Sequence, residues 1–171
     1  MKILVVGGGG REHAICWKLN GEENVEKVYC APGNAGISKV AECVDIKVTD
    51  IEKLADFAEE NRIDLTVIGP EVPLVMGISD VFKERGLRVF GPDKACSQLE
   101  GSKLFSKEFM VRHNIATAKY KEYTDIDKAI EEIDSFGYPV VIKADGLAAG
   151  KGVIIPTNRE EAIETLNTIM K

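Results

Sequence analysis

The chain lacks the features that mark several large classes of protein. Its 171 residues contain no apolar run that approaches the roughly 20 residues of a membrane-spanning helix. The apolar segment at the N-terminus is shorter than the core of a secretion signal. Acidic residues outnumber basic residues by 28 to 22, for a net charge of -6, whereas surfaces that bind nucleic acid are basic. We therefore expect no membrane, no secretion signal and no nucleic-acid partner.

Cysteine is also scarce and shows no recognisable pattern. The four cysteines, Cys16, Cys30, Cys43 and Cys96, are irregularly spaced and form no C-x-x-C pair. Such spacing is typical of reduced, mostly buried thiols in a cytoplasmic protein. The sequence also shows no cluster of residues with metal-ligand spacing, so no metal site is predicted in it.

The chain does contain a regular alternation of apolar runs and helical patterns. Near-continuous apolar runs are typical of strands that are buried on both faces of a parallel sheet. Between these runs, apolar residues recur at helical spacing, as at Ile51, Leu54, Ala55 and Ala58. Repeated βα units predict an open, doubly wound α/β sheet over residues 1–101. The predicted strands cover residues 2–6, 27–30, 44–48, 65–68 and 87–90.

The pattern changes from Ser102 onward. We predict a helix over 102–113 that is capped by Ser102, a strand over 119–123, a helix over 125–136 and a last helix from Asn158. The last helix carries an apolar stripe that needs a partner, which favours weak self-association. Because a sheet of two or three strands is small for a domain, we expect residues 102–171 to be the incomplete start of a second domain.

The most informative segment is VVIKADGLAAGKGVII at residues 140–155. Two β-branched runs flank a loop that contains Gly146, Gly150, Lys151 and Gly152. Glycine allows backbone N–H groups to wrap an anion, and lysine adds a positive charge, so the segment predicts a hairpin over ligand phosphates. A P-loop is excluded, because the glycine spacing differs and a strand follows where a P-loop has a helix.

Glycine-bearing turns follow four of the five predicted strands of the first domain. Ligands of open α/β sheets gather at the carboxyl ends of the strands. The run at residues 7–10 is the strongest signal, since it precedes a helix whose free N–H groups and dipole favour a phosphate. A dinucleotide site is the alternative, but Glu12 stands where a third glycine is required, and no acidic ribose partner follows the second strand.

Five segments together carry a family resemblance. They are GGGGREHA at 7–14, APGNAG at 31–36, IDLTVIGPEVPLVMGISD at 63–80, FGPDKACSQLEGSK at 90–103 and VVIKADGLAAGKGV at 140–153. In this order and spacing they resemble the phosphoribosylamine–glycine ligase family, also called glycinamide ribonucleotide synthetase, within the ATP-grasp superfamily. The resemblance covers essentially the whole chain. It departs from the family at Gly8, where a polar residue is frequent, and at Ala116, where a proline is common.

The resemblance implies a domain of the pre-ATP-grasp type followed by the start of an ATP-grasp domain. It implies a reaction in purine biosynthesis: ATP, with Mg²⁺, phosphorylates the carboxylate of glycine, and the amine of 5-phosphoribosylamine attacks the acyl phosphate. The substrate-binding residues that it implies are Gly8, Gly9, Gly10, Arg11, Glu12, Gly33, Asn34, Gly69, Pro70 and Glu71. The implied ATP-binding residues are Lys103, Lys143, Gly146, Gly150, Lys151 and Gly152.

The family chain is longer than these 171 residues. The resemblance places the adenine-contacting strand and the magnesium ligands outside them, and no catalytic residue is assigned within them. We expect an N-terminal part of the ligase that does not complete the reaction alone. Two alternatives remain open: a non-catalytic ribosyl-phosphate-binding module that assembles with a separate remainder, and an NAD-dependent oxidoreductase.

Overall fold

The computed structural model describes residues 1–146 and 152–170. The chain divides into two compact units, Met1–Gly101 and Ser102–Lys171. Within the described residues, no helix is both long enough and apolar enough to cross a bilayer.

The first unit is built on a parallel sheet of five strands. The strand order is β3-β2-β1-β4-β5, and every neighbouring pair is parallel. This order places the first strand at the centre with later strands added on both sides, so the predicted open parallel sheet is confirmed. The strands are β1 Lys2–Gly7, β2 Lys27–Pro32, β3 Glu42–Cys43, β4 Leu65–Ile68 and β5 Val89–Phe90.

Five α-helices and one short 3-10 helix, Ile37–Lys39, accompany this sheet in the described residues. The α-helices are α1 Gly10–Asn20, α2 Ile51–Glu60, α3 Glu71–Met76, α4 Ile78–Glu84 and α5 Lys94–Gly101. The sequence pattern of residues 75–85 predicts a single helix, but that prediction is wrong, because Gly77, at φ 101°, separates α3 from α4. A left-handed residue ends a helix because the backbone hydrogen-bond ladder cannot continue through it, and glycine adopts that conformation without strain.

Two apolar cores lie on the two faces of the sheet. Leu4 and Val6 contribute to one core, together with Leu54 of α2 and Phe82 of α4. The alternate residues of β1 contribute to the other core, which includes Cys16 of α1. Side chains alternate between the faces of a strand, so a strand buried on both faces must be apolar throughout. This arrangement explains the near-continuous apolar run of β1.

The third strand lies earlier in the chain than predicted. Residues 44–48 are not a strand, and β3 is the two-residue segment Glu42–Cys43. The amide of Val44 still bonds the Cys30 carbonyl at 2.9 Å, but the amide of Ile46 turns back to the Val44 carbonyl at 2.8 Å. Such an i to i+2 bond is a tight turn, and it ends the pairing although the apolar side chains continue to pack against the core.

The second unit has three α-helices and a hairpin, and its apolar core is built mainly from the last two helices and the first strand of the hairpin. The helices are α6 Lys103–Arg112, α7 Ile126–Glu132 and α8 Arg159–Ile169, and the antiparallel hairpin consists of β6 Ile142–Lys143 and β7 Val153–Ile154. The strand predicted over 119–123 is absent from these described residues. Instead, the side chains of Lys121 and Tyr123 both bond the Glu132 carboxylate of α7.

The apolar stripe of the last helix has a partner within its own unit. Ala162 and Leu166 of α8 are buried in the same core as Ala129 of α7 and Ile142 of β6. This packing removes the exposed stripe from which self-association was expected. The Asn158 side chain accepts a hydrogen bond from the Glu161 amide at 2.9 Å and so caps the helix.

The four thiols are all free, and they divide evenly in burial. Cys16 and Cys30 are buried, whereas Cys43 and Cys96 are exposed. The prediction of mostly buried cysteines therefore holds for only half of them. The Cys30 thiol lies 3.3 Å from the Gly7 carbonyl, directly beneath the turn that follows β1.

Candidate functional site

The strand-end turns of the first unit meet at one edge of the sheet. Because β1, β2 and β4 are parallel neighbours, their carboxyl ends lie side by side. The Gly33 amide donates to the Gly7 carbonyl at 3.1 Å, and the Asn34 side chain donates to the Gly8 carbonyl at 2.8 Å. On the other side, the Gly69 amide donates to the Val6 carbonyl at 3.0 Å. These bonds join the three turns into one surface.

Backbone approaches backbone closely across this surface. A Cβ atom added at Gly8 would lie 2.7 Å from the Gly33 carbonyl oxygen, which is shorter than side-chain carbons tolerate. The Asn34 carboxamide oxygen accepts from the amides of Gly36 and Ile37 at 2.7 and 2.9 Å, which holds the second turn in shape. His13 of α1 lies against the same turn, since a Cβ at Gly36 would be 3.0 Å from its ring.

Glu12 is the buried centre of this edge. Its carboxylate fills the space left by two glycines: a Cβ at Gly7 would lie 2.5 Å from its Cγ, and a Cβ at Gly69 would lie 2.1 Å from its Oε1. Its Oε2 accepts a hydrogen bond from the Gly9 amide at 2.6 Å. Its Oε1 is buried and has no hydrogen-bond partner among the described residues, although Nε of Arg11 lies 4.0 Å from it. Glu12 therefore shapes the turn from beneath. The helical spacing of apolar residues predicts that Ala14 faces the sheet, but Ala14 is exposed.

The start of α1 keeps hydrogen-bond donors available. The Gly9 amide donates a hydrogen bond to the Glu12 carboxylate, but the amides of Gly10 and Arg11 donate to no acceptor within the described residues. The first N–H groups of a helix have no partner inside the helix, and together with the helix dipole they favour an anion. This end of α1 can therefore accept a phosphate group without losing a protein hydrogen bond.

Arg11 adds a movable positive charge beside these amides. Its guanidinium Nη2 lies 3.5 Å from Oε2 of Glu71, the first residue of α3, and its side chain is 72% exposed. An exposed ion pair of this length contributes little free energy, so a ligand can take the guanidinium from Glu71 at small cost. Pro70 is the residue that precedes α3 and keeps an extended backbone there, at φ -87° and ψ 156°.

A cleft of about 410 Å³ lies beside Arg11 and Glu71. Ten residues line it: Arg11, Gly69, Glu71, Leu74, Val75, Pro92, Cys96, Ser97, Leu99 and Glu100. Three of them belong to the sequence-predicted substrate site. The α5 residues among them were not predicted, because nothing in the local sequence of this helix indicates that it faces the ends of the strands.

In the second unit, Lys103 lies at the start of α6 and is bound to the segment that follows β6. Its ammonium group donates to the Gly146 carbonyl at 2.7 Å. Its amide donates to Oδ1 of Asp145 at 2.6 Å, and the Leu104 amide donates to the same oxygen at 3.3 Å. Asp145 was not predicted from the sequence. It lies 42 positions from Lys103, so no local pattern could connect the two residues.

The capping of α6 extends to Ser102, as predicted. Its hydroxyl accepts from the Phe105 amide at 3.0 Å and donates to Oδ2 of Asp145 at 3.1 Å. Burial alone would raise the pKa of Asp145, but the backbone donors of Leu104, Lys103 and Gly146, with the Ser102 hydroxyl, outweigh it and lower the pKa. Asp145 is therefore held as a carboxylate.

The remaining predicted ATP-binding residues lie on the hairpin. Lys143 is in β6 and is exposed, so it does not bear the free-energy cost of a buried, unpaired charge. The Ala144 amide donates to the carbonyl of Gly152, which is buried. Gly146 has φ 90°, a conformation that favours glycine. Gly150 and Lys151 lie outside the described residues.

Comparison with known proteins gives this arrangement a class. A family model described as "Phosphoribosylglycinamide synthetase, N domain" matches residues 1–100. The model "Phosphoribosylglycinamide synthetase, ATP-grasp (A) domain" matches residues 101–171. The fold is thus that of an α/β domain followed by part of an ATP-grasp domain. The chain belongs to the phosphoribosylglycinamide synthetase family.

Individual relatives agree with the family match. The chain is 54% identical over 171 residues to the phosphoribosylamine–glycine ligase of Caldanaerobacter subterraneus subsp. tengcongensis, covering 100% of this chain and 41% of that protein. It is 56% identical over 164 residues to that of Pseudomonas putida, covering 95% and 38%. The crystal structure of the Thermotoga maritima ligase matches at a TM-score of 0.75 with 34% identity, covering 96% and 38%. The chain thus spans about two fifths of the length of these relatives.

Proposed function

We propose that the chain takes part in the ATP-dependent ligation of glycine to 5-phosphoribosylamine, which gives glycinamide ribonucleotide, ADP and phosphate. The family membership and the names of the relatives support this reaction. The observation that carries the substrate site is the start of α1. Its open amides and the exposed Arg11 offer donors and charge where the turns after β1, β2 and β4 meet. The cytoplasm is the proposed location, and four free thiols are compatible with it.

In this proposal the ribosyl phosphate lies on the carboxyl edge of the first sheet. Its phosphate contacts the amides of Gly10 and Arg11, because these donors have no acceptor in the part of the chain that the structure describes. The turn residues Gly8, Gly33 and Asn34 let the sugar approach the backbone. The cleft beside Glu71 takes the rest of the ligand, with carboxylates that accept from hydroxyl or amine groups.

The second unit is proposed to hold the phosphates of ATP. The ammonium groups of Lys103 and Lys143 supply positive charge, and a lysine has three N–H donors. Lys103 uses one on Gly146, so the others can bind phosphate oxygens. The residues fit a nucleotide in this respect. They do not fit Mg²⁺, since the described part of the chain has no group of three His, Cys, Asp or Glu residues that could hold a metal ion. No step through magnesium is assigned to them.

The substrate site can be tested with ribose 5-phosphate, a stable molecule that carries the ribosyl phosphate. We expect it to shift the amide NMR signals of Gly10 and Arg11 in the 171-residue chain, while ribose causes no such shift. Replacing Arg11 with alanine should weaken binding several-fold, the loss expected for a charge-assisted contact. Lys18→Ala is the matched control, because Lys18 lies on the same helix and is 73% exposed. Equal weakening by both variants would contradict the proposed site.

Catalysis can be tested through ADP release with Mg-ATP, glycine and phosphoribosylamine, with each component omitted in turn. We propose that this chain alone gives no release that depends on all three. Release that does depend on all three would show that these residues suffice. The second candidate is a non-catalytic ribosyl-phosphate-binding module that assembles with a separate remainder. Exposed apolar side chains in and beside the hairpin favour such an assembly, since Val141, Val153 and Ile155 are 51%, 44% and 58% exposed. That candidate predicts ribose 5-phosphate binding with no release even when the remainder of the ligase is supplied as a separate chain.

A further inference from the structure

Asp145 is the least expected residue in the second unit, because nothing in the sequence selects it and yet it has several polar contacts. Its Oδ1 accepts from the amides of Lys103 and Leu104, and its Oδ2 accepts from the Ser102 hydroxyl. The bond to the Lys103 amide, at 2.6 Å, is at the short end of charge-assisted hydrogen bonds. A residue with this many bonds to a neighbouring element fixes the position of its own backbone against that element.

The backbone that Asp145 fixes contacts a functional candidate. The next residue is Gly146, whose carbonyl accepts from the Lys103 ammonium group at 2.7 Å. Lys103 is thus held at both ends by two consecutive residues: its amide by Asp145 and its ammonium group by Gly146. A lysine side chain loses much conformational freedom when its end is held, and a side chain that is already ordered has less entropy to lose on binding a ligand.

The same carboxylate closes the end of α6. The amides of Lys103 and Leu104 are bound by Asp145, and the Phe105 amide is bound by Ser102. No donor of the first turn is left for a ligand phosphate, so the helix end cannot bind an anion in the manner open to α1. Positive charge for a phosphate in this part of the unit must therefore come from side chains.

We propose that Asp145 is a positioning residue for the nucleotide phosphates: by binding the first turn of α6, it places the Lys103 ammonium group against the Gly146 carbonyl. One lysine N–H remains on that carbonyl, and the other two are directed to phosphate oxygens. The role in nucleotide binding rests on the proposed function, whereas the hold on Lys103 does not. Asp145 acts through Lys103 and has no contact of its own with the nucleotide.

The test measures the reactivity of individual lysines in the 171-residue chain by trace acetylation and mass spectrometry. In Asp145→Ala we expect the Lys103 amine to react about fivefold faster, the factor that corresponds to one ordinary hydrogen bond. Lys107 is the internal control, because its ammonium group bonds Thr117 and Ala118 at 2.6 and 3.2 Å, away from Asp145. Its rate should not change.

Two further variants separate positioning from a general loosening of α6. Asp145→Asn keeps an acceptor oxygen for the Lys103 amide and should restore slow labelling. Ser102→Ala removes the cap of Phe105 and the hydroxyl bond to Oδ2 of Asp145, but it leaves the bond between Oδ1 of Asp145 and the Lys103 amide. The labelling rate of Lys103 should therefore stay within about twofold of wild type, as expected when no bond to Lys103 itself is lost. An unchanged Lys103 rate in Asp145→Ala, or an equal rise in Ser102→Ala, would overturn the inference.

Mg-ATP added to the wild-type chain distinguishes failure of the inference from failure of the proposed function. Protection of Lys103 and Lys143 from acetylation, lost in Asp145→Ala and regained in Asp145→Asn, supports both. If Lys103 responds to Asp145→Ala but Mg-ATP and tripolyphosphate protect neither lysine, the proposed nucleotide site is wrong. In that case the role of Asp145 in nucleotide binding fails with it, while its hold on Lys103 stands.

Discussion

Helices α1 and α6 both begin beside residues that the sequence predicts to bind phosphate, but their first N–H groups have different partners. At α1, Glu12 binds one amide from below and the next two, of Gly10 and Arg11, have no acceptor in the described residues. At α6, Asp145 and Ser102 bind the amides of the whole first turn. The first helix end can accept an anion directly. At the second helix end, the Asp145 carboxylate already occupies the place of an anion. We infer that this helix end instead helps to order the Lys103 side chain.

The difference follows from what surrounds each helix end. The α1 end is packed by glycines, and the missing side chains leave room for one carboxylate below and a ligand above. The α6 end instead meets a segment of the hairpin that carries its own carboxylate. A helix that begins beside a glycine-rich or lysine-bearing motif therefore does not by itself indicate a phosphate site. The partners of its first amides decide the matter.

The largest expected effect comes from adding a methyl group at the α1 end. In Gly69→Ala the new Cβ would lie 2.1 Å from Oε1 of Glu12, which is a buried side chain, so the surrounding structure must shift. We expect a loss of about 3 kcal/mol, at the upper end for overpacking, together with loss of ribose 5-phosphate binding. Urea unfolding followed through the amide signals of β1 measures the change.

Gly10→Ala is the matched control for that variant. A Cβ added at Gly10 would have no atom within 4 Å, so the free energy of unfolding should change by no more than about 0.5 kcal/mol. Equal destabilisation by the two variants would show that Gly69 and Gly10 are both needed for their backbone flexibility, and that the close approach to Glu12 does not cause the loss of stability.

A smaller effect is expected at the α6 end. Ser102→Ala removes the hydroxyl that accepts from the Phe105 amide, and loss of such a cap costs about 1 kcal/mol. Urea unfolding followed through the amide signals of α6 measures it. The ribose 5-phosphate affinity of the first unit should not change, and a parallel fall in that affinity would contradict the separate roles of the two helix ends.

Acid should affect the second unit before the first. The pKa of Glu132 is lowered by the Lys121 ammonium group and that of Glu161 by the Thr157 amide, while Asp145 is lowered by its donors despite burial. A carboxyl whose folded pKa is lowered contributes its full stability above its unfolded pKa, near 3.9 for Asp and about 4.3 for Glu. That stability is lost as pH falls below these values toward the folded pKa.

The measurement is a pH titration of amide signals from both units. In the first unit, the carboxyl with a resolved decrease in pKa is Asp93, which the Cys96 amide binds. We expect signals of α6 and α8 to change between about pH 4.5 and 3, the range in which unfolded carboxyls titrate, while β1 persists to lower pH. Loss of β1 first would contradict this order.

The sequence predicted those structural features that depend on residues close together in the chain. The apolar runs of β1 and β4 identified central strands, and parallel strands necessarily bring the turns after them to one edge. The limits of β3 depend on pairing with β2, and the break at Gly77 depends on one backbone angle, so neither was predicted. The burial of Glu12 and the contacts of Asp145 depend on residues distant in sequence, and no spacing rule reveals them.

The outer strands of the first sheet are very short. The strands β3 and β5 contain two residues each, whereas the central β1 contains six. Lys27 and Glu42 pair at 2.6 Å at one margin and place charges beside it. Short, charged margins give an incoming strand from another molecule few groups to pair with. This sheet can therefore keep a central strand that is almost wholly apolar without presenting a template for fibril growth.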